Sequence, residues 1–207
     1  MDIIIITGPK HSGKTSAGLA LTKLFSGADG FRRAADSAEL CFVDLDELIE
    51  RRTGRSPRAL YQENRDIFRE AEAEALASLI GKAAVPLSAP GKAAVLVIAA
   101  GGGIIDNEQA LALIKKTSGA ITVYLEVSAD TAWNRVDASA RRDGGLPPFL
   151  ETENPRETHR ALHERRAAAY RNFARIIIKA EGKSPEEIAK EIQVKSGLPK
   201  QEFPALV

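Results

Sequence analysis

Gly8-Pro9-Lys10-His11-Ser12-Gly13-Lys14-Thr15 is the stretch on which the fold turns. Before it stands Ile3-Ile4-Ile5-Ile6, a β-branched run that reads as a buried parallel strand. After it, apolar residues recur at helical spacing from Ala17 to Phe25. Between strand and helix, the spacing G-x-x-x-x-G-K-[ST] has a mechanical reason. Gly8 and Gly13 let the backbone curl so that successive N–H groups and the helix N-terminus point at an anion. Lys14 then reaches the β- and γ-phosphates of a nucleotide, and the Thr15 hydroxyl becomes a ligand of Mg2+. The expected nucleotide-binding set is Gly8, Pro9, Lys10, His11, Ser12, Gly13, Lys14, Thr15 and Ser16. The alternative is an ordinary glycine turn that caps a helix.

Working outward, 207 residues suffice for one compact domain with helices on both faces of a sheet. Acidic and basic side chains nearly balance, 28 against 29, so no overall field recruits nucleic acid or an anionic membrane. The lone cysteine, Cys41, at the start of a strand, reads as a small core hydrophobe and fits a reducing cytosol. No stretch approaches a membrane span, and the isoleucine run is too short for a signal-peptide core. A cytoplasmic monomer is expected.

Down the chain, Ser26 to Glu39 lacks an apolar period and reads as a surface excursion. Leu40 to Val43 is a second strand, ending at Asp44-Leu45-Asp46. Side chains two apart in an extended segment point the same way, so both carboxylates can face a site at the strand's carboxyl end, where open parallel sheets bind ligands. Alternatively, Asp44 caps the next helix and Asp46 favours its dipole. Ser56-Pro57 opens another helix. A longer one spans Asp66 to Ile80, with Arg69 and Glu72 on one face; alone, this pair would be a solvated ion pair. Gly81 to Lys92 reads as a long loop.

Ala93 to Ala100 is a third buried strand and runs into Gly101-Gly102-Gly103, bare backbone that either a ligand or a tight turn could use. A helix at Asn107 to Lys116 follows, then a strand at Ala120 to Val127 and a short helix at Ser128 to Val136. Arg141 to Pro148 sets glycines beside prolines, which suits a lid or a disordered basic loop. A helix from about Pro155 to Asn172, a strand at Arg175 to Lys179, a helix over Ile188 to Val194 and a loose tail past Gly197 complete the order. Alternating strands and helices imply a three-layer α/β/α domain over residues 1–207 with a five-stranded parallel sheet and right-handed crossovers. The mobile lid falls at about 138–158.

With the elements ordered, the chain resembles the shikimate kinase family. Beyond the phosphate loop, Asp44 and Asp46 with Ile49-Glu50 through Thr53-Gly54-Arg55-Ser56 are similar to that family's D-x-D and I-E-x-x-T-G-x-S segments. Phe68-Arg69-Glu70-Ala71-Glu72 resembles F-R-x-x-E, Gly101 to Gly103 the triple-glycine loop, and Arg166 with Tyr170 the late R-x-P-x-Y. The resemblance implies that the sheet is of P-loop kinase type and that the chain carries out ATP-dependent phosphorylation of a hydroxyl of shikimate. It places Lys14, Asp44 and Arg142 in catalysis, Arg142 also on the nucleotide, and Thr15 and Asp44 at Mg2+. It puts Asp46, Arg69, Gly101, Gly102, Gly103 and Arg166 on a small carboxylated polyol, with the two arginines clamping its carboxylate. Glu72 would fix the Arg69 rotamer.

The departures matter as much. Where the family carries an Arg-Pro pair in the lid, this chain reads Gly145-Leu146-Pro147-Pro148, which leaves Arg156 or Arg160 as substitutes. Ala168 stands where proline is expected after Arg166, and Lys10-His11 makes the loop unusually basic; His11 is a phosphate contact or a bystander. The alternatives are a gluconate-type sugar-acid kinase and a catalytically silent nucleotide-binding protein.

Overall fold

The computed structural model describes residues 2–26, 40–83, 95–143 and 145–198. Five strands, β1 (Asp2–Thr7), β2 (Leu40–Asp44), β3 (Val95–Ala99), β4 (Ala120–Glu126) and β5 (Ile176–Lys179), form one parallel sheet in the order β2-β3-β1-β4-β5. The helices are α1 (Lys14–Ser26), α2 (Leu45–Thr53), α3 (Pro57–Glu63), α4 (Arg65–Ala83), α5 (Glu108–Lys116), α6 (Ala129–Asp143), α7 (Pro155–Phe173) and α8 (Pro185–Ser196). Short 3-10 turns lie at Ile104–Asp106 and Pro148–Leu150.

The isoleucine run explains the layering. Successive strand side chains point to opposite faces, so Ile4 and Ile6 join the core beneath α1 and α8, and Ile3 and Ile5 join the core beneath α2, α4 and α7. All four are buried, each worth about 2 kcal/mol of apolar transfer. Strand β3 repeats the division, with Val95, Val97 and Ala99 on one face and Leu96 and Ile98 on the other. A strand apolar at every position is the mark of a sheet covered on both sides. Register then levels the strand ends: Ile6 and Asp44 both pair with Ala99, and Thr7 pairs with Tyr124. The phosphate loop, Asp44 and the triple glycine therefore leave the sheet side by side.

Capping chemistry sets most helix ends. Asp44 caps α2, which closes on Gly54 in the left-handed region at φ 68. Ser56 and Pro57 start α3, and Ser184, Pro185 and Glu187 start α8 with a reciprocal capping box. Two helices outrun the sequence reading: α4 continues through Ala83, and α6 reaches Asp143, seven residues beyond Val136. Tertiary contact extends a helix past the point where its apolar period fades. The excursion before β2, the Cys41 side chain, most of the long loop after α4 and the tail beyond Leu198 lie outside the described residues. Among the described residues no helix is long and apolar enough to cross a membrane.

Candidate active site

The phosphate loop leaves β1 with backbone angles that its residue types dictate. Gly8 has φ 142, and a Cβ there would stand 2.7 Å from the Leu125 carbonyl oxygen, so only glycine fits. Gly13 has φ 94. His11 takes φ 60, the one non-glycine residue at positive φ among the described residues, a conformation that costs energy and clusters at functional sites. An element distant in sequence supports this strained turn: Arg135 on α6 donates from Nη1 to the His11 carbonyl at 2.9 Å. Lys14 curls over the loop and donates to the carbonyls of Gly8 (3.1 Å) and Pro9 (2.8 Å). Burial lowers its pKa to about 8 against the pull of Asp46 and Asp44.

Both readings of Asp44 hold at once, because its two oxygens do different work. Oδ1 accepts from the backbone N–H groups of Asp46 (3.0 Å) and Glu47 (3.4 Å), and Oδ2 accepts from the Thr15 hydroxyl at 2.7 Å. Asp46 opens onto the same space, and burial, reinforced by the Asp44 carboxylate, pushes its pKa up. Thr15 and Asp44 thus offer two adjacent oxygen donors of the kind a hard divalent cation takes. Among the described residues no group of three His, Cys, Asp or Glu side chains is placed to hold a metal alone.

Gly102 ties the site together. A Cβ on it would meet the Lys10 backbone nitrogen at 2.9 Å, so the triple-glycine segment packs directly on the phosphate loop. Its carbonyl accepts from Arg166 Nη1 (3.1 Å) and from the Tyr170 hydroxyl (3.2 Å), both on α7. Tyr170 is buried and stacks on Tyr124 with centroids 5.0 Å apart. Gly101 is crowded by Glu72 Oε1 and Asp46 Oδ1, at 2.9 and 3.1 Å from where its Cβ would sit. Gly101 and Gly102 are glycine because protein, as well as open cavity, comes this close; Gly103 would meet only the end of Arg166 at 3.5 Å.

These groups line one cavity of about 590 Å3, with Pro9, Lys10, His11, Gly13, Lys14, Thr15 and Ser16 at one end. Asp44, Asp46, Gly101, Gly102, Gly103 and Arg166 line it as well. Gly8 and the buried Ser12 belong to the loop but are not among the lining residues. The chain's three histidines, His11, His159 and His163, all line it, and burial, then the neighbouring His163, depresses His159 to about 4.

Four expectations take a different form. Arg69 faces Asp66 at 3.6 Å and is not among the lining residues, although it and Arg166 both lie within electrostatic reach of Glu72. Glu72 does not bond Arg69: it is buried, its Oε2 accepts from Asn107 Nδ2 at 2.9 Å, and burial raises its pKa to about 7. Asn107, the N-cap of α5, also donates to the Arg69 carbonyl, so it fixes the backbone of that arginine and leaves its guanidinium to the long pair with exposed Asp66. Arg142 sits on the exposed last turn of α6, outside the lining, because the helix runs on. Arg156 and Arg160 pair with Asp130, at 3.2 and 3.6 Å, away from the cavity.

Sequence reasoning missed Arg58, Arg135 and Asp106. Asp106 accepts from Arg165 (2.8 Å) and Arg166 (2.9 Å); burial would raise its pKa, but those hydrogen bonds and charges hold it low. No local signal marks these residues, since their partners lie 59 or more positions away.

Comparison with known proteins gives a consistent picture. The shikimate kinase family model matches residues 31–196. A shikimate kinase of Marinomonas sp. is 31% identical over 91% of this chain and 88% of its own length, and one of Thermus thermophilus is 37% identical over 78% of each. Among solved structures, shikimate kinase from Acinetobacter baumannii in complex with shikimate superposes with a TM-score of 0.69 at 28% identity, covering 94% of this chain and 92% of that one. Shikimate kinase from Bacteroides thetaiotaomicron shares the fold with a TM-score of 0.68 at 23% identity, over 95% and 99% of the two chains.

Proposed function

The chain belongs to the shikimate kinase family, and from that premise we propose that it transfers the γ-phosphoryl group of ATP to a hydroxyl of shikimate, releasing shikimate 3-phosphate and ADP. One observation carries the reading: the phosphate loop, the Asp44–Asp46 pair, the triple glycine and Arg166 share a single cavity, so a nucleotide and a small acid can meet there.

The residues divide the work that phosphoryl transfer requires. Its transition state is loose and highly charged, so catalysis consists of alignment and charge stabilisation. Lys14, already at the loop mouth, would exchange its backbone carbonyls for phosphate oxygens. Thr15 and Asp44 would hold Mg2+, which combines one or two protein oxygens with phosphate and water. Held there, the ion would supply positive charge to the phosphates. Asp46 would accept hydrogen bonds from the acceptor's hydroxyls, and Arg166 would bind its carboxylate, with Arg69 joining once it leaves the exposed Asp66. Backbone at Gly101 to Gly103 lets the ring lie close. The proposal includes a cytosolic location and a monomeric state, and light scattering of the purified protein tests the second.

Coupled ADP release with and without shikimate decides the main point. Turnover that depends on shikimate, and that Lys14→Ala abolishes, supports the proposal. Protein that binds ATP but hydrolyses it no faster with shikimate sinks it, and stimulation by gluconate instead would reassign the acceptor.

A further inference from the structure

Two guanidinium groups line the cavity among the described residues, those of Arg166 and Arg58, and their commitments differ. Arg166 is spoken for. Its Nε and Nη2 both reach Asp106 Oδ2 (2.9 and 2.7 Å), its Nη1 donates to Gly102, and its side chain is 20% exposed. Asp106 is shared with Arg165, so the three groups keep a net positive charge that still attracts an anion, but the bonds to Asp106 and Gly102 fix the Arg166 guanidinium in place. Among the described residues Arg58 pairs with Glu151 alone, at 3.4 Å, and the two side chains are 44% and 56% exposed. Exposed ion pairs this long hold weakly. Nor does helix energetics explain Arg58, which occupies the first turn of α3, where a cation opposes the helix dipole.

The position of Arg58 is as informative as its freedom. One turn along α3, Tyr61 meets Phe68 (6.1 Å) and Phe149 (6.4 Å) edge to face, and Arg166 lies over the Phe149 ring at 5.9 Å. Pro57, Tyr61, Pro147, Pro148 and Phe149 line the cavity with Arg58. The α3 N-terminus and the 3-10 turn at Pro148–Leu150 thus make one wall, the wall that also carries Arg166, whereas the phosphate loop is contacted by α6 through Arg135.

We infer that Arg58 is an acceptor-binding residue of this chain, a mobile guanidinium that leaves Glu151 to bind the carboxylate of the acidic substrate in the cavity. Glu151 keeps it at the rim of that wall until an anion with better geometry competes. A planar fork that can bind a carboxylate at two points suits the task better than an ammonium. The inference rests on the kinase reading for the identity of the acid, so its test includes a readout that needs no turnover.

Arg58→Ala, Arg58→Lys and Glu151→Gln, made in the full chain, are compared with wild type by isothermal titration with shikimate, and by steady-state kinetics in shikimate and in ATP. Arg58→Ala should weaken shikimate binding and raise its KM tenfold or more while the ATP KM stays within twofold, which also shows that the site is folded. Arg58→Lys should recover part of the loss. Glu151→Gln should tighten shikimate binding by up to about twofold and have no effect when Arg58 is already Ala. Wild-type affinity for shikimate in Arg58→Ala, or an effect confined to ATP, would overturn the assignment, as would a wild-type protein that does not bind shikimate. A wild type that binds shikimate but transfers no phosphate would count against the kinase reading, and the titrations would still decide on Arg58.

Discussion

Replacing Glu72 with Gln should make this protein more stable, and by an amount that depends on pH. Glu72 is a buried carboxyl with a single hydrogen bond, from Asn107 to Oε2; Oε1 has no partner and faces Gly101 and Asp46. Neither nearby arginine grips it, since Arg166 is bonded to Asp106 and Arg69 faces Asp66. Burial therefore dominates and raises its pKa from 4.5 to about 7. Between those values the folded protein holds a proton that the unfolded chain has lost, so stability falls as pH rises through that window. At about 1.4 kcal/mol for each pH unit, the penalty above pH 7 amounts to about 3 kcal/mol. Glutamine avoids it: its carbonyl can take the Asn107 donor, and its amide N–H can point where Oε1 now stands unpaired, towards Asp46. Urea unfolding at 25 °C should find Glu72→Gln more stable by up to about 3 kcal/mol at pH 8.5 and by under about 1 kcal/mol at pH 5. A variant less stable than wild type at pH 8.5, or a difference that does not move with pH, would mean that Glu72 is ionised and held by the arginines.

Two further outcomes follow from the same geometry. Gly102→Ala pushes a methyl against the Lys10 backbone nitrogen and should cost about 1–3 kcal/mol and weaken nucleotide binding, whereas Gly103→Ala, whose methyl meets only the end of Arg166 at 3.5 Å, should keep its melting temperature; equal melting temperatures for both would refute the packing account. Lys14, depressed to about 8 by burial, is an ammonium below that pH and loses its charge above it. ATP affinity of the free enzyme should accordingly fall towards tenfold per pH unit above about pH 8, with proton uptake on binding that calorimetry in two buffers detects; flat affinity from pH 7 to 9.5 would contradict it.

Several features of this site are local and so were legible in the chain itself. Gly8 and Gly13 stand at the positive-φ ends of a turn, and four isoleucines show a strand covered on both faces. Ser56-Pro57 and Ser184-Pro185 start helices here, and the signal is local because each cap bonds within three residues of itself. The two roles of the Asp44 oxygens could not be separated at that level, since Oδ1 caps α2 locally whereas Oδ2 accepts from Thr15, 29 positions earlier.

What tertiary structure alone decided is which opposite charge each buried or half-buried group meets. Arg69 and Glu72 are one helical turn apart and read as partners, yet Asn107, brought in by the crossover from β3 to α5, takes Glu72 and leaves Arg69 to Asp66. Arg166 looks like one basic residue among several on α7 until Asp106 and Gly102 meet it from the end of β3. Arg58 carries no pattern at all. A short helix start, placed beside a turn more than eighty residues later, puts it on the cavity wall. Periodicity and turn chemistry act over a few residues, whereas the partner of a charge is set by how the strands are ordered in the sheet.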